Sequence, residues 1–439
     1  MRRGWLVVFL VGACGNHGNA RSQSDAPVGP ADAAPIGPVD PMCPVLGAAG
    51  DVTVEPPTVT GQLTIVVSDN TGATLSRMDG VASGGAVTVS VPACGMVTVF
   101  RQNVPANDVT SNDAVTWTGV QPGDHLVDPR VMTSSVAVTI DGAQNVTGAN
   151  LYNAYFSCAS SATLEEGNDT AAKVAGGTLQ CTASASAVAA TIVASDAPMT
   201  EYASGSAPIS GGAATVTFGA PAPAAATMHV DISGVAEVAE ISVGTHQVPG
   251  PGLDQPYVVT TVDANGSDTV GADADAGSGA GTLVVTLEGG VDGSPFFQTT
   301  ELVQAYDALP ASVAVAASDL LPPVTFTEST TEGRFAAALA TPTPISGSLA
   351  IGTISFTYGS TGVTWQMIAP ANTPALYLPA LPADLVPADH DGFFMKAVDI
   401  YDIPALSYAD ARAHLDELPA SPTTPMRIAH AEVNLDLAR

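Results

Sequence analysis

The sequence predicts an all-β protein: tandem β-sandwich domains behind a disordered N-terminal tether, with one short helix near the C-terminus. Three observations carry this. Apolar and small polar residues alternate with period two in segment after segment, as strands with one buried face require. Gly (43) and Pro (34) punctuate those segments, while aromatic residues make up only 5% of the chain. Val, Thr and Ala must therefore build the cores, and turns must be frequent. Helical periodicity is confined to one place. With 439 residues, 46% of them hydrophobic, the chain can fill several cores.

The chain opens MRRGWLVVFLVGACGN. Arg2 and Arg3 form a positive start, Leu6 to Leu10 a short apolar run, and Val11-Gly12-Ala13 a compact segment before Cys14. This order is that of a secretory signal peptide over residues 1–13, too short to span a bilayer. The tetrapeptide Val11-Gly12-Ala13-Cys14 resembles the lipobox of bacterial lipoproteins. The resemblance covers about the first 16 residues. It implies that Cys14 becomes the mature N-terminus, with a diacylglycerol on its sulfur and an acyl chain on its amine. Three acyl chains hold a protein firmly to a bilayer. Gly15, in place of the Asp that favours inner-membrane retention in that family, implies the outer membrane, with the domains facing either the periplasm or the cell surface.

Residues 14–58 follow as a linker of Pro, Ala, Gly and Asp with almost no large apolar side chain. Such a segment cannot build a core and favours extended conformations, so it is expected to be a stalk.

Strands then follow in order. In GQLTIVVSDNTG, Leu63, Ile65 and Val67 alternate with Thr64, Val66 and Ser68 before a turn at 69–72. AVTVSVP (86–92) sets Val87, Val89 and Val91 against Thr88 and Ser90. MVTVF, SSVAVTI, GTLVVTL, SVAVAA and GTISFTY repeat the pattern. Domains are expected at 59–132, 133–240, 241–340 (with an acidic loop insertion at 263–281) and 341–439. TIVVSD (64–69) returns as TIVASD (191–196), and GGAVTVSV (from Gly84) as GGAATVTF (from Gly211), both 127 residues on. VAVTIDGA (136–143) returns as LVVTLEGG (283–290). Matched spacing predicts a duplicated strand–turn–strand unit. The TIVVSDNTGATL…GGAVTVSVP stretch resembles carboxypeptidase-regulatory and Ig-like sandwich modules, which implies their fold and no catalytic residue. The helix is expected in LSYADARAHLDEL (406–418), with Ser407 and Asp410 as a capping pair and Pro419 beyond.

Setting Cys14 aside, Cys43, Cys94, Cys158 and Cys181 remain, an even number in an oxidising compartment. Three connectivities are possible. Cys43–Cys94 with Cys158–Cys181 is the expected one, pinning the end of the stalk to the first domain and closing a short loop.

The balance of 12 basic against 42 acidic residues gives a net charge of −30. Such a surface repels phosphate backbones, which excludes nucleic acid as a partner class. No HExxH, GxSxG or phosphate-binding glycine loop occurs, and the seven histidines are scattered singly. Asp263, Asn265, Asp268, Asp273 and Asp275 offer oxygens for Ca²⁺, the one cofactor the sequence suggests, although not in EF-hand order. Asp389-His390-Asp391 could hold a metal or orient a base. Trp117 and Trp365, with Tyr152, Tyr155 and Phe156, could stack on sugars, although aromatics in sandwiches more often anchor the core. The sequence thus implies a lipid-anchored envelope protein that presents sandwiches for adhesion, scaffolding or ligand capture without catalysis, its partner a glycan or an envelope protein. The alternative is a polysaccharide-directed surface hydrolase with accessory sandwiches.

Overall fold

The structure, a computed structural model, describes residues 43–57, 61–102, 110–130, 133–141, 152–156, 159–160, 176–182, 185–194, 201–217, 222–250, 253–256, 260–277, 279–289, 296–331, 334–340, 347–359, 361–386, 394–403, 406–413, 415 and 425–433. Strands dominate, as the alternation requires. The first seven are β1 (Ala49–Glu55), β2 (Gln62–Ser68), β3 (Thr74–Val81), β4 (Val87–Pro92), β5 (Gly95–Gln102), β6 (Thr110–Val120) and β7 (His125–Val127). They form two facing sheets, β4-β1-β7 and β6-β5-β2-β3. Val52, Val54, Val89 and Val91 from one sheet meet Leu63, Ile65, Val97, Val99 and Trp117 from the other in a closed core.

A second group is β8 (Thr133–Asp141), β9 (Tyr152–Phe156), β10 (Ala159–Ser160), β11 (Gly176–Thr182), β12 (Ala187–Ala194), β13 (Glu201–Pro208), β14 (Ala213–Thr217) and β15 (Ala222–Pro223). A third is β16 (Ala226–Ser233), β17 (Glu240–Gly250), β18 (Leu253–Pro256), β19 (Thr260–Val262), β20 (Thr269–Ala276), β21 (Gly281–Gly289), β22 (Phe296–Tyr306) and β23 (Ser312–Ala316). The last is β24 (Thr325–Thr331), β25 (Arg334–Ala340), β26 (Leu349–Tyr358), β27 (Thr361–Ala369), β28 (Ala375–Tyr377), β29 (Phe394–Asp402), the helix α1 (Tyr408–Ala413) and β30 (Met426–Val433).

The first three groups share one topology, from which the last departs at one strand. In module 1, β1 lies between β4, antiparallel, and β7, parallel. Modules 2 and 3 repeat this with β8 between β11 and β14, and β16 between β20 and β23. In module 4, β25 pairs with β28, and β24 takes the third place from the N-terminal side. The facing sheets run β6-β5-β2-β3, β13-β12-β9, β22-β21-β17 and β30-β29-β26-β27. The second and fifth strands thus sit side by side in the larger sheet, whereas an immunoglobulin constant domain places them with its first and fourth.

Three of these larger sheets join edge to edge. β27 pairs in parallel with β6, and β30 pairs antiparallel with β22, giving one 13-stranded sheet through modules 1, 4 and 3. The parallel junction turns module 4 over relative to module 1. The layer β4-β1-β7 therefore covers one face, and β24-β25-β28 covers the other. Strand β2 is buried on both faces as a result: Leu63, Ile65 and Val67 enter the module 1 core, and Val66 enters the module 4 core with Phe100 and Ala114. Helix α1 packs on the module 1 side, placing Ala411 in that core.

Several sequence expectations shift. β1 lies inside the stretch expected to be stalk; its buried Val52 and Val54 alternate with polar neighbours and are paired by β4. β16 begins the third sandwich at Ala226, before the expected 241, and β24 and β25 belong to the last sandwich rather than the third. The expected acidic insertion is β20, a core strand whose Val270, Ala272, Ala274 and Ala276 are buried while Gly271 and Asp273 face out. The repeated words do not mark equivalent strands: residues 64–68 of the first lie on β2, the second strand of its module, and residues 191–194 of the second lie on β12, which holds the fifth-strand place in its own. The described helix is Tyr408–Ala413, and residues 414 and 416–418 of the expected segment lie outside the described residues. Its start matches: the Asp410 N–H donates to Ser407 Oγ at 3.1 Å, and Ser407 Oγ lies 2.6 Å from Asp410 Oδ2.

Candidate functional site

The face of the fused sheet that carries α1 has no second sheet over its module 4 and module 3 portions among the described residues. Register places polar side chains there. At the β22–β30 junction, Asp399, His430 and Thr299 form one row across β29, β30 and β22; Tyr401, Ile428, Glu301 and Thr286 form the next, which reaches β21. His430 Nδ1 lies 2.7 Å from Asp399 Oδ1, and its Nε2 is 3.8 Å from Glu432. Asp399, His430, Glu301 and Tyr401 are half-buried, whereas Glu432 is exposed. Burial alone would lower the His430 imidazolium, but the Asp399 hydrogen bond and the charges of Asp399, Glu432 and Glu301 outweigh it and hold its pKa above the ordinary value. Burial pushes the Glu301 carboxyl up, with His430 opposing and Asp399 adding to the shift. Burial, with Asp399 and Glu301, also pushes the Tyr401 phenol up. A histidine oriented by a carboxylate can move a proton, and a raised carboxyl beside it can donate one.

About 19 Å away, four strand spacings across the sheet, the β6–β27 junction opens a cleft of about 270 Å³ lined by Ser111, Asn112, Asp113, Arg130, Thr364 and Gln366. Arg130 donates to Asp113, to Asp128 and to the Val99 carbonyl (3.0 Å), and Arg101 donates to Asp113. These charges neutralise one another, so the cleft offers fixed hydrogen-bonding groups in a strongly acidic protein. Between cleft and cluster lie the half-buried Thr353 and Ile351.

At the helix, Tyr408 Oη donates toward the carbonyls of Thr118 (2.9 Å) and Ile368 (3.0 Å), and burial pushes its pKa up to about 12. Arg412, 1% exposed, pairs with Asp124 and stacks over the Tyr408 ring at 4.6 Å. These contacts tie module 4 to module 1 and are structural.

The residues singled out in the sequence fare differently. Asp263, Asn265 and Asp268 lie in the turn before β20, whereas Asp273 and Asp275 project from β20 about 13 and 20 Å along it. Asp273 takes His229 Nδ1 at 2.7 Å, and Asp275 accepts from Tyr202 Oη at 2.6 Å. The structure does not bring the five to one centre, and among the described residues no group of three His, Cys, Asp or Glu side chains could hold a metal. Trp117 and Trp365 are 0% and 1% exposed, which overturns their role in sugar stacking; both anchor cores. Phe156 is packed against the module 2 core, and Tyr152 and Tyr155 lie on β9. Cys43 and Cys94 are bonded, with Cα atoms 5.3 Å apart, joining the segment before β1 to the β4–β5 turn as expected. Cys181 is also disulfide-bonded. Cys14, Cys158 and Asp389-His390-Asp391 lie outside the described residues.

Sequence reasoning did not find the Asp399–His430 pair, the raised Glu301 or the Arg130 cleft. Each joins residues that only strand register makes neighbours. Compared with protein-family models and with curated proteins, the chain matches none.

Proposed function

We propose that this chain is a lipid-anchored, non-enzymatic envelope protein whose fused sheet is a rigid platform and whose polar face holds a glycan of the envelope. The observation that supports it is the continuous sheet through modules 1, 4 and 3, with hydrogen-bonding side chains along one face. Edge-to-edge pairing removes the hinges that a string of separate sandwiches would have. Hydroxyl, amide and paired carboxylate groups suit the hydroxyls of a polysaccharide. The net charge of −30 favours a neutral or amino-sugar polymer over an anionic one.

Two measurements test this on the full chain. Labelled palmitate should enter the wild type and not Cys14→Ala, which should leave the membrane fraction. Isolated envelope polysaccharide should sediment the protein, and Gln366→Ala with Asp399→Asn should weaken that binding. An unlabelled wild type sinks the anchor, and unchanged binding in the double variant sinks the face.

The His430–Asp399 pair beside Glu301 favours the hydrolase as a second reading. Turnover of an envelope polysaccharide that is lost in both His430→Gln and Asp399→Asn would replace the non-enzymatic reading with it.

A further inference from the structure

The 13-stranded sheet ends at β3, which pairs with β2 on one side and with nothing described on the other. From Thr74 to Gly80 every residue of β3 is exposed. Leu75 and Met78, 55% and 41% exposed, are two of the four large hydrophobic residues exposed among those described. An open edge presents unpaired backbone N–H and C=O groups, a template for another strand. Elsewhere in this chain such edges are used: the strand corresponding to β3 in module 4, β27, is paired by β6 of module 1, and the outer strands β22 and β30 pair with each other.

We propose that β3 pairs antiparallel with β3 of a second copy, extending the sheet across a two-fold axis at Met78. Directly opposed residues in an antiparallel pair share a face, so the axis must fall on a residue rather than between two. Centred on Met78, the register sets Arg77 opposite Asp79 and Met78 opposite itself, within the regular stretch between the bulges at Leu75 and Gly80. Two Arg–Asp pairs and an apolar centre result from one strand. Centred on Arg77 the same strand would oppose two arginines, which is unfavourable. Within one copy Arg77 lies 2.7 Å from both Asp79 and Asp384, on the face that meets Ala380 and its neighbours, so this face of β3 is already held in place. Bulges flank the regular stretch, with register shifts next to Thr74 and Gly80. They limit the pairing to a short central run, and the association is therefore reversible.

The test uses the full chain in its membrane. With Met78→Cys, opposed Cα atoms stand about 4.5–5.5 Å apart, within the range a disulfide bridges. Mild oxidation should yield a dimer on a non-reducing gel about tenfold faster than for Asp307→Cys, an exposed site far along the sheet, because pairing holds the two thiols at high effective concentration. Met78→Lys, which opposes two like charges at an exposed site, should shift the solubilised protein from dimer to monomer in sedimentation while its circular dichroism stays unchanged. Equal cross-linking at 78 and 307, or a wild type that sediments only as a monomer, overturns the proposal.

Discussion

At the scale of single residues, the polar side chains that matter are paired across strands. Trp365 Nε1 donates to Thr116 Oγ1 at 2.8 Å, and Thr116 meets Thr98 at 2.8 Å, so one buried relay crosses the junction of modules 4 and 1. His430 carries a pH signature from a half-buried site. Its folded pKa is raised above the ordinary 6.5, so its stabilising contribution is complete below about 6.5 and is lost as pH rises through the folded value. Glu301, raised above 4.5, acts in the same direction lower on the scale, because it holds its proton more tightly when folded. Urea stability should therefore fall as pH rises above about 6.5, and the fall should be smaller in His430→Gln. An equal fall in both proteins would remove His430 from the account. None of this was legible beforehand: Asp399 and His430 are 31 residues apart, and only the β29–β30 register opposes them. The aromatic residues were more legible, since few in number and flanked by strand patterns they had to anchor cores, which Trp117 and Trp365 do.

At the scale of elements, strands with Val, Ile or Leu on the inner face were readable. The stretches containing β2, β4, β5, β8, β21, β23 and β26 are all strands where the alternation placed them. β20 was not. Its inner face is Val270, Ala272, Ala274 and Ala276, and its outer face carries Gly271, Asp273 and Asp275, so composition read as an acidic loop while the period-2 pattern was present in alanine. Alanine suits that place because β20 packs closely on β17 and the module 3 core. Ala274 is 0% exposed and belongs to the module 3 core. Ala274→Leu should cost about 1–3 kcal/mol by overpacking, read as a lower denaturation midpoint at unchanged m-value. Asp273→Asn on the opposite face should change it far less. If the two variants are equally stable, β20 is not the core strand described. Helix α1 illustrates a different limit: the capping pair marked its start correctly, but periodicity ran past the described helix.

For the whole molecule, the repeat that the sequence displayed as similar words proved to be a repeat of topology. Modules 1, 2 and 3 share a strand order, and module 4 all but one place of it, while their equivalent strands share little wording, because a β-sandwich constrains which positions are apolar and not which residue fills them. The fusion of modules 1, 4 and 3 was invisible for a further reason: β6 and β27 are about 250 residues apart, and a parallel pair carries no turn signal between its strands. That connectivity has a consequence for folding. Module 1 emerges first, but its outer strand β6 and the far face of β2 and β5 are completed only by module 4. Until then Val66, Phe100 and Ala114, each at most 1% exposed in the finished protein, face solvent beside an open edge. β22 of module 3 waits for β30 in the same way. Such surfaces promote association between chains. A chain ending at residue 324 should retain β-rich circular dichroism yet elute as soluble aggregates and lose protease resistance. Co-expression of residues 325–439 should restore part of the monodisperse protein. A truncated chain that remains monodisperse without that segment would mean that modules 1 and 3 close their own edges, and that the fused sheet is an addition to stable sandwiches rather than the structure that completes them.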